Sequence, residues 1–315
     1  MRLVMAIGIG IGAVVVTAAP AAADPARPTN VSSHVIAISP PTPAVAAEIV
    51  GGNAFLRIHV RPGTTVLVHG YEDEPYLRIS ADGTVAENTR SAATYLNRTI
   101  SGHVDIPPTV DKDAPPDWRT VGGGGSYAWH DHRVHWMASG GPPQAVDWKV
   151  ALDVDGAPAS IDGRYMGVTA PSAVPWWLLA VVAVGAVVLL GRSHPRVVAV
   201  GVLVAAGLGL PVALAAARLP ASGIGDWTGV ALLGVAAVAA VAAILSRAGP
   251  WLAGAGVALV VWSFRRLDVL DHAVLVTDLP GWLDRAAVAL ALGVGVGAVV
   301  VGVRLVARTP VRQPA

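Results

Sequence analysis

The feature that most constrains this chain is a series of long apolar runs that begins at Pro175. A helix needs about 20 apolar residues to cross about 30 Å of hydrocarbon. Runs near that length occupy residues 176–191, 197–217, 228–245 and 286–304. A fifth run, at residues 251–266, has an apolar core of only 14 residues, or about 21 Å of helix. The runs predict an all-α bundle of five transmembrane helices over residues 175–306 and exclude a single soluble domain.

The placement of arginine predicts how these helices cross the membrane. If all five cross and the preceding domain is outside, the inner side consists of two loops and the chain from Arg304 through the tail at residues 307–315. It has no acidic residue and six arginines, Arg192, Arg196, Arg247, Arg304, Arg308 and Arg312. This is the asymmetry of the positive-inside rule, and it places the C-terminus in the cytoplasm. Removing the short run would move the last three arginines outside. We expect Arg265 and Arg266 to extend that helix by snorkelling.

Two further membrane signals are the N-terminal segment and the tryptophans at predicted helix ends. Residues 1–23 combine Arg2, a short apolar run and three alanines at 21–23, which is the pattern of a cleaved signal peptide. The alternative is an uncleaved anchor helix, which Pro20 and the short apolar core disfavour. Five tryptophans lie at predicted helix ends, as in an interfacial aromatic belt: Trp176, Trp177, Trp227, Trp251 and Trp282.

The remaining residues, 24–174, are called the outer domain below. They hold sixteen of the 21 acidic residues and eleven of the 22 basic ones, so a basic nucleic-acid-binding domain is excluded. The whole chain has no cysteine. Disulfides, thiolate metal sites and cysteine nucleophiles are therefore excluded as well.

The outer domain has the pattern of β structure. Leu56, Ile58 and Val60 alternate with polar residues, and residues 148–155 repeat the same period of two. Short strands are also predicted at 35–38, 45–50 and 66–68. Turns are predicted at three Asp-Gly pairs, which begin at residues 82, 155 and 162. We expect an all-β domain, an immunoglobulin-like sandwich, interrupted by a long loop at residues 106–126.

The most unusual segment is residues 127–137, which has three of the nine histidines within six positions. On a strand, His130 and His132 would share one face, with Asp131, His135 and Met137 on the other. Two imidazoles two positions apart can bind one metal, each with its second nitrogen held by a carboxylate or a carbonyl. The segment therefore predicts a metal site whose ligands come from these five residues.

The residue types favour copper. Imidazole binds copper in either oxidation state, and the thioether of Met137 would favour Cu(I). Zinc, held by histidine alone or with Asp131, is the less favoured metal. A structural interpretation also stays open: a histidine between Trp129 and Trp136 can stack or hydrogen-bond, and Asp131 can form a salt bridge with Arg133.

Other clusters in the chain are weaker candidates. Three adjacent acids at residues 72–74 fit a solvated turn better than a calcium loop. Asp268, Asp271 and His272 fit an ordinary charge cluster beside the membrane. Single histidines that could join the triad are His34, His59, His69 and His103.

In its outer domain the chain resembles a group of actinobacterial exported membrane proteins. The resemblance lies in residues 70–79, 95–97, 114–118 and in the segment Tyr-x-Trp-His-Asp-His-Arg-x-His-Trp-Met at 127–137. The order of signal peptide, β-domain and helices is also similar to that of the periplasmic copper-resistance C and D proteins joined in one chain. That architecture implies copper handling, although architecture alone does not determine function. The histidine that the copper-resistance C domains place directly after the cleavage site is missing here.

Two functions follow from the sequence. In the first, the outer domain binds copper, and the helices anchor it in the lipid bilayer. In the second, the outer domain is a scaffold or sensor that binds an envelope protein through the loop at 106–126. The chain has no Gly-x-Ser-x-Gly motif or paired catalytic carboxylates that would predict an enzyme, and the apolar runs have no acidic residue or lysine that would mark a transport path.

Overall fold

The computed structural model describes residues 25–137, 144–220, 224–246 and 248–308. The predicted signal peptide, Arg247 and the tail beyond residue 308 lie outside these residues. Within the described chain, a β region of ten strands precedes a set of apolar helices. The predicted order of a β-domain followed by helices is therefore confirmed.

The strands form two antiparallel sheets. The larger has the order β1-β10-β9-β4-β5-β6-β7, and the smaller has the order β2-β3-β8. The finer, immunoglobulin-like assignment stays a prediction, since the strands divide seven and three rather than four and three. The strand bounds are β1 Val31–Ser39, β2 Val45–Val50, β3 Phe55–Val60, β4 Val66–His69, β5 Pro75–Ile79, β6 Val85–Asn88, β7 Trp118–Gly122, β8 Ser126–Trp129, β9 Val146–Val154 and β10 Ala157–Gly167.

One hydrophobic core joins the two sheets. Leu56 and Ile58 of β3 are fully buried and share this core with Val150 and Leu152 of β9. Arg57 and His59 alternate with the buried residues of β3 and are more exposed. The period-of-two prediction is confirmed for both strands, and the short helix α1 (Ala93–Leu96) adds Ala93 to the same core.

Two of the predicted turns are confirmed and one is wrong. Asp155 and Gly156, both at positive φ, connect β9 to β10, as a type I′ hairpin requires. Gly83 lies in the turn between β5 and β6. Asp162 and Gly163 instead lie within β10, paired with β9. The glycine is needed there for space, because an added Cβ would lie 2.0 Å from the ring of Trp148.

The segment at residues 106–126 is only partly a loop. Its second half contains β7, which pairs with β6 of the larger sheet. After the glycines that follow β7, the chain enters β8, which pairs with β3 of the smaller sheet. The prediction of a long irregular segment missed this strand because Trp118, Arg119, Thr120 and Val121 are too few to show a period.

The helices are predominantly apolar, and their few charged residues lie near helix ends. Three of them are long and apolar enough to cross a membrane, namely α3, α4 from Trp227 onward, and α6, whereas α2 and α5 have 17 and 16 residues. The molecule is thus a membrane protein with at least three helices of spanning length. The helix bounds are α2 Val174–Leu190, α3 Pro195–Ala217, α4 Ile224–Ser246, α5 Gly249–Phe264 and α6 Gly281–Ala307, with a 3₁₀ turn at Leu267–Leu270.

Helix α6 packs against α2, α3 and α5. An added Cβ on Gly293 would lie 2.4 Å from the Ala180 carbonyl oxygen of α2, and one on Gly297 would lie 2.5 Å from Val187. Gly293 and Gly297, spaced as Gly-x-x-x-Gly, therefore make a close contact between helices. A second glycine contact joins Gly256 of α5 to Gly295 of α6.

The segment between α5 and α6 contacts the outer domain. Thr29 and Val274 exchange two backbone hydrogen bonds of 3.0 and 2.9 Å, and the Ala273 amide donates to Oδ1 of Asn30. The first described residues of the outer domain are thereby attached to this segment. These contacts hold the segment against the start of the outer domain.

Arg266 and Asp284 form a buried ion pair that the sequence analysis missed. We expected Arg266 to snorkel and Asp284 to lie in a loop. Instead, Asp284 is in the first turn of α6 and fully buried, and its carboxylate accepts hydrogen bonds from the Arg266 guanidinium at 3.1 Å and from the Thr277 hydroxyl at 3.0 Å. The pair joins the end of α5 to the start of α6.

Replacing Asp284 by alanine is expected to lower the free energy of unfolding by about 2 kcal/mol, because hydrogen bonds to a buried charge are lost. The control is Asp271→Ala, since the Asp271 side chain is 62% exposed and its ion pair with His272 contributes little. Thermal unfolding of both purified variants in detergent measures the difference. Equal unfolding midpoints would contradict the structural role of Asp284.

Candidate metal centre

Strand β8 ends at Trp129. The histidine segment is therefore not a strand, and the prediction that it is one was wrong. Residues 130–137 form a turn, in which the Val134 amide donates to the Asp131 carbonyl oxygen and the Val134 side chain is fully buried. The segment turns because Val134 and the carboxylate of Asp131 are buried against other strands of the outer domain. The turn brings His135 to the same side as the two preceding histidines, which an extended strand would have kept apart.

The three histidines converge. One possible ligand nitrogen from each of His130, His132 and His135 lies within 4.8 Å of the others. The ring centroids are 4.4 Å apart for His130 and His135, and 5.7 and 5.6 Å from His132 to each of them. Nitrogens bonded to one ion at about 2.0 Å lie within roughly 4 Å of each other. Small ring movements therefore suffice to close the triad on a single ion.

The register of the smaller sheet positions His130. Strand β8 pairs Trp129 with Leu56 of β3, so continuing the antiparallel register places the next residue beside Phe55, the first residue of that strand, and close to Ala54 before it. Nδ1 of His130 is hydrogen-bonded to the Ala54 carbonyl oxygen. A carbonyl only accepts, so Nδ1 carries the proton and Nε2 has the lone pair that a metal needs.

His132 is held in the same manner from a different part of the chain. Its Nε2–H donates to the Thr99 carbonyl oxygen at 2.8 Å, which leaves the lone pair on Nδ1. Its backbone amide donates to the Tyr71 hydroxyl at 3.0 Å, and the two rings stack. Metal-binding histidines usually donate their second N–H to a carbonyl or carboxylate, and two members of the triad do so.

His135 is the member with the least support. Its side chain is 5% exposed, and neither ring nitrogen meets the geometry of a hydrogen bond within the described chain. Burial, followed by the neighbouring His130 and His132, lowers the pKa of His135 to about 3, with Asp131 acting in the opposite direction. The ring is therefore neutral at physiological pH and carries an unused lone pair into the cluster.

Asp131 does not join the triad. Its carboxylate is fully buried and accepts hydrogen bonds from the Trp129 indole at 2.8 Å and from the Arg133 backbone, Nε and guanidinium at 3.0, 2.9 and 2.7 Å. Both oxygens are thus committed to Trp129 and Arg133. The structural interpretation of this aspartate as half of a salt bridge is confirmed, and the structure gives it no ligand position.

Met137 is more exposed than the buried rings. Its side chain is 43% exposed, compared with 2% for His130 and 5% for His135. The expectation that it shares a strand face with His135 fails because the segment is a turn. Met137 as a ligand, and with it the thioether argument for Cu(I), stays a prediction.

The residues that support the triad were not predicted as site residues. Three separate segments contribute the supporting groups, which are the backbone carbonyls of Ala54 and Thr99 and the hydroxyl of Tyr71. Gly102, at a φ of +67°, lies against His132, and an added Cβ there would be 2.8 Å from Cε1 of that ring. No sequence pattern marks a backbone carbonyl, and none marked Gly102.

The other single histidines lie elsewhere. Nε2 of His69 is 3.0 Å from Asp153, and Nδ1 is 3.0 Å from Asp73. His59 is paired with Glu48. The acidic cluster at 72–74 is a turn in which buried Glu74 accepts hydrogen bonds from the Ser91 hydroxyl and the Glu72 amide. Within the described residues, the triad is the one group of three metal-binding side chains that converges.

No protein-family model, no curated protein and no solved structure matches the chain. The resemblances to actinobacterial exported proteins and to copper-resistance proteins therefore stay predictions. The features that bear on function are the histidine triad and the helices.

Proposed function

We propose that the protein is a membrane-anchored, extracytoplasmic copper-binding protein whose ligands are His130, His132 and His135. The observation that carries this proposal is the convergence of three imidazoles, one of them with both ring nitrogens buried and unsatisfied. Leaving buried polar atoms without a partner costs about 1–3 kcal/mol. A metal ion bound to one ring nitrogen of His135 would remove the part of that cost that comes from that nitrogen.

Copper is favoured over zinc by the chemistry of the donors. The ligands are three neutral imidazoles with no carboxylate or thiolate, and for such sites affinity rises along the divalent series to a maximum at copper, above zinc. Three protein ligands also leave a coordination position open for water or another small ligand. We therefore assign copper as the ion and zinc as the weaker competitor.

The experiment is a copper titration of the purified full chain in detergent, in the presence of a competing chelator. We expect one equivalent of copper for the wild type and none for the triple variant His130→Ala, His132→Ala, His135→Ala. The matched control replaces three exposed histidines of the same domain, His34, His59 and His103, by alanine and is expected to keep the equivalent.

Either of two outcomes overturns the proposal. The first is a wild type that binds neither copper nor zinc. The second is a control variant that loses as much copper as the triad variant. The scaffold or sensor function would then be preferred, and it predicts binding of an envelope protein that survives chelators.

A single supporting residue gives a finer test. Gly102→Ala is expected to lower copper affinity by about 10- to 100-fold, the usual effect of disturbing a residue that orients a metal-bound histidine. The control is Gly156→Ala, which shares the positive φ, at +81°, but whose added Cβ would meet nothing within 4 Å. Equal copper affinities for the two variants would contradict the prediction that contact between residue 102 and His132 controls the affinity.

We further propose that all five helices cross the membrane, with the outer domain outside and the C-terminus in the cytoplasm. The arginine distribution supports this topology. Helices α2 and α5, at 17 and 16 residues, are about 25 Å long, which modest thinning of the bilayer accommodates. Exposed tryptophans at the helix ends are consistent with interfacial anchoring, namely Trp177, Trp227, Trp251 and Trp282.

The absence of cysteine makes this topology testable by labelling. Single cysteines at Ser172 and Asp271 are expected to react with an impermeant maleimide on intact cells. Cysteines at Ser193 and Ser246 are expected to react only after the membrane is opened. Labelling of Ser246→Cys on intact cells would contradict the crossing of α4, and failure of Asp271→Cys to react on intact cells would contradict the crossing of α5.

A further inference from the structure

The end of the helices farthest from the outer domain has a basic hollow. Its volume is about 300 Å³, and it lies between the last turns of α2 and α6. Three arginines line it, Arg192 from the end of α2 and Arg304 and Arg308 from the end of α6. The hollow is thus a concentrated positive site at one end of the bundle, and its three arginines lie at least 57 residues after the histidine triad in the sequence.

Nothing in the described chain neutralises these arginines. None of the three forms an ion pair within the described residues. The sequence offers no acid nearby either, since there is no Asp or Glu between residues 163 and 225 or after residue 284. Three guanidinium groups that line one hollow repel one another, and an anion bound among them would offset this repulsion.

The packing of α2 on α6 creates the cluster. At Gly191 an added Cβ would lie 2.3 Å from Val301 of α6, so the absence of a side chain lets the end of α2 approach α6 closely. That approach carries Arg192 to the α6 arginines. The remaining walls of the hollow are apolar, from Val188, Val301 and Leu305.

The surroundings of the hollow match those of a lipid rather than a soluble ligand. Apolar side chains on the same turns of α2 and α6 are largely exposed, namely Leu189 at 60%, Leu190 at 47%, Val303 at 56% and Val306 at 47%. On helices of this kind such residues face acyl chains. Basic pockets between transmembrane helices on the cytoplasmic side recognise anionic headgroups.

We propose that this hollow binds the phosphate of an anionic phospholipid, held by Arg192, Arg304 and Arg308. Arginine suits this ligand because its planar fork of N–H donors binds phosphate oxygens in pairs. The acyl chains then lie along the exposed apolar faces of α2 and α6. The proposal is independent of the copper site.

The test is native mass spectrometry of the full chain in detergent, titrated with phosphatidylglycerol and, separately, with phosphatidylcholine of the same acyl chains. We expect tighter binding of phosphatidylglycerol to the wild type. Each arginine contributes about fivefold in affinity, so the triple variant Arg192→Gln, Arg304→Gln, Arg308→Gln is expected to lose on the order of 100-fold. If the triple variant does not fold, Arg308→Gln alone, an exposed change at the helix end, is expected to lose about fivefold.

A control of equal charge separates the hollow from general surface attraction. Arg196 is at the same end of the bundle but lines a neighbouring cavity of about 410 Å³. Arg196→Gln is expected to keep the preference for phosphatidylglycerol. The proposal is overturned if Arg196→Gln loses as much affinity as Arg192→Gln, if the arginine variants bind like the wild type, or if inorganic phosphate displaces the lipid at equal concentration, which would assign the hollow to a free anion.

Discussion

Replacing Asp131 by alanine is expected to lower the free energy of unfolding of the outer domain by about 3–5 kcal/mol, the cost of removing one partner of a buried ion pair. The carboxylate holds the Trp129 indole and the backbone and guanidinium of Arg133. Without it, the largely buried Arg133 keeps its charge beside the carbonyl oxygens of His69 and Gly70. For a domain of this size, the unfolding midpoint should fall by about 10 °C.

The matched control is Asp147→Ala, which breaks an aspartate–arginine pair with Arg164 on the surface. The Asp147 side chain is 69% exposed, and pairs of this kind contribute little, so the midpoint should stay nearly unchanged. Thermal unfolding followed by tryptophan fluorescence measures both variants. Equal midpoints for Asp131→Ala and Asp147→Ala would contradict the structural role of Asp131.

The same pair predicts a dependence on pH. Burial raises the pKa of Asp131, but the charge and hydrogen bonds of Arg133 and the Trp129 indole outweigh burial, so that pKa lies below its usual value of 3.8. The pair therefore stabilises the folded domain fully above about pH 4, and this stabilisation is lost as the pH falls through the lower folded value. The difference between the wild type and Asp131→Ala should shrink on acidification below pH 4.

The second large effect is expected from His135→Leu. Copper at 1,000 times its dissociation constant should stabilise the wild type by about 4 kcal/mol, because it binds the folded state. The leucine variant should lose this stabilisation. Without metal it should be at least as stable as the wild type, because both ring nitrogens of His135 are buried without hydrogen bonds.

This opposite behaviour with and without metal distinguishes a ligand from a structural histidine. A structural role predicts that His135→Leu destabilises the metal-free protein and leaves any copper effect intact. Unfolding midpoints with and without copper measure both quantities on the same sample. Retention of the copper effect in His135→Leu would remove this residue from the site.

Most of the coarse fold could be predicted from the sequence. Long apolar runs indicate helices that are apolar all round, and a period of two indicates strands that are buried on one face. Both patterns can be recognised from the residue types along the local sequence. Leu56, Ile58 and Trp148 were identified as core residues in this way. Strand β7 and the position of Gly163 could not be predicted, since they depend on partners that are distant in sequence.

The candidate site was predicted in part. The spacing of the three histidines identified them, but it could not show that the segment turns after Trp129. That turn depends on Asp131 and Val134 being buried by residues of other strands. For the same reason Asp131 and Met137 were included among the ligands, whereas Ala54, Thr99 and Gly102, which act through backbone carbonyls or through contact, were missed.

Within the histidine segment, the contacts that hold the turn and those that orient the rings act together. The ion pair of Asp131 and Arg133 holds the turn, and the Ala54 and Thr99 carbonyls orient two of the rings. His135 then completes the triad without a hydrogen bond of its own. A site held in this way is ready to bind an ion without losing internal hydrogen bonds or releasing protons from His135.

The most direct measurement is X-ray absorption spectroscopy of the copper-loaded full chain. We predict three imidazole nitrogens at about 2.0 Å from the metal, with no sulfur scatterer, because Met137 is exposed. Met137→Leu should leave the spectrum unchanged, whereas His132→Ala should reduce the imidazole count. A spectrum with a sulfur ligand, or one with fewer than two imidazoles in the wild type, would contradict the proposed centre.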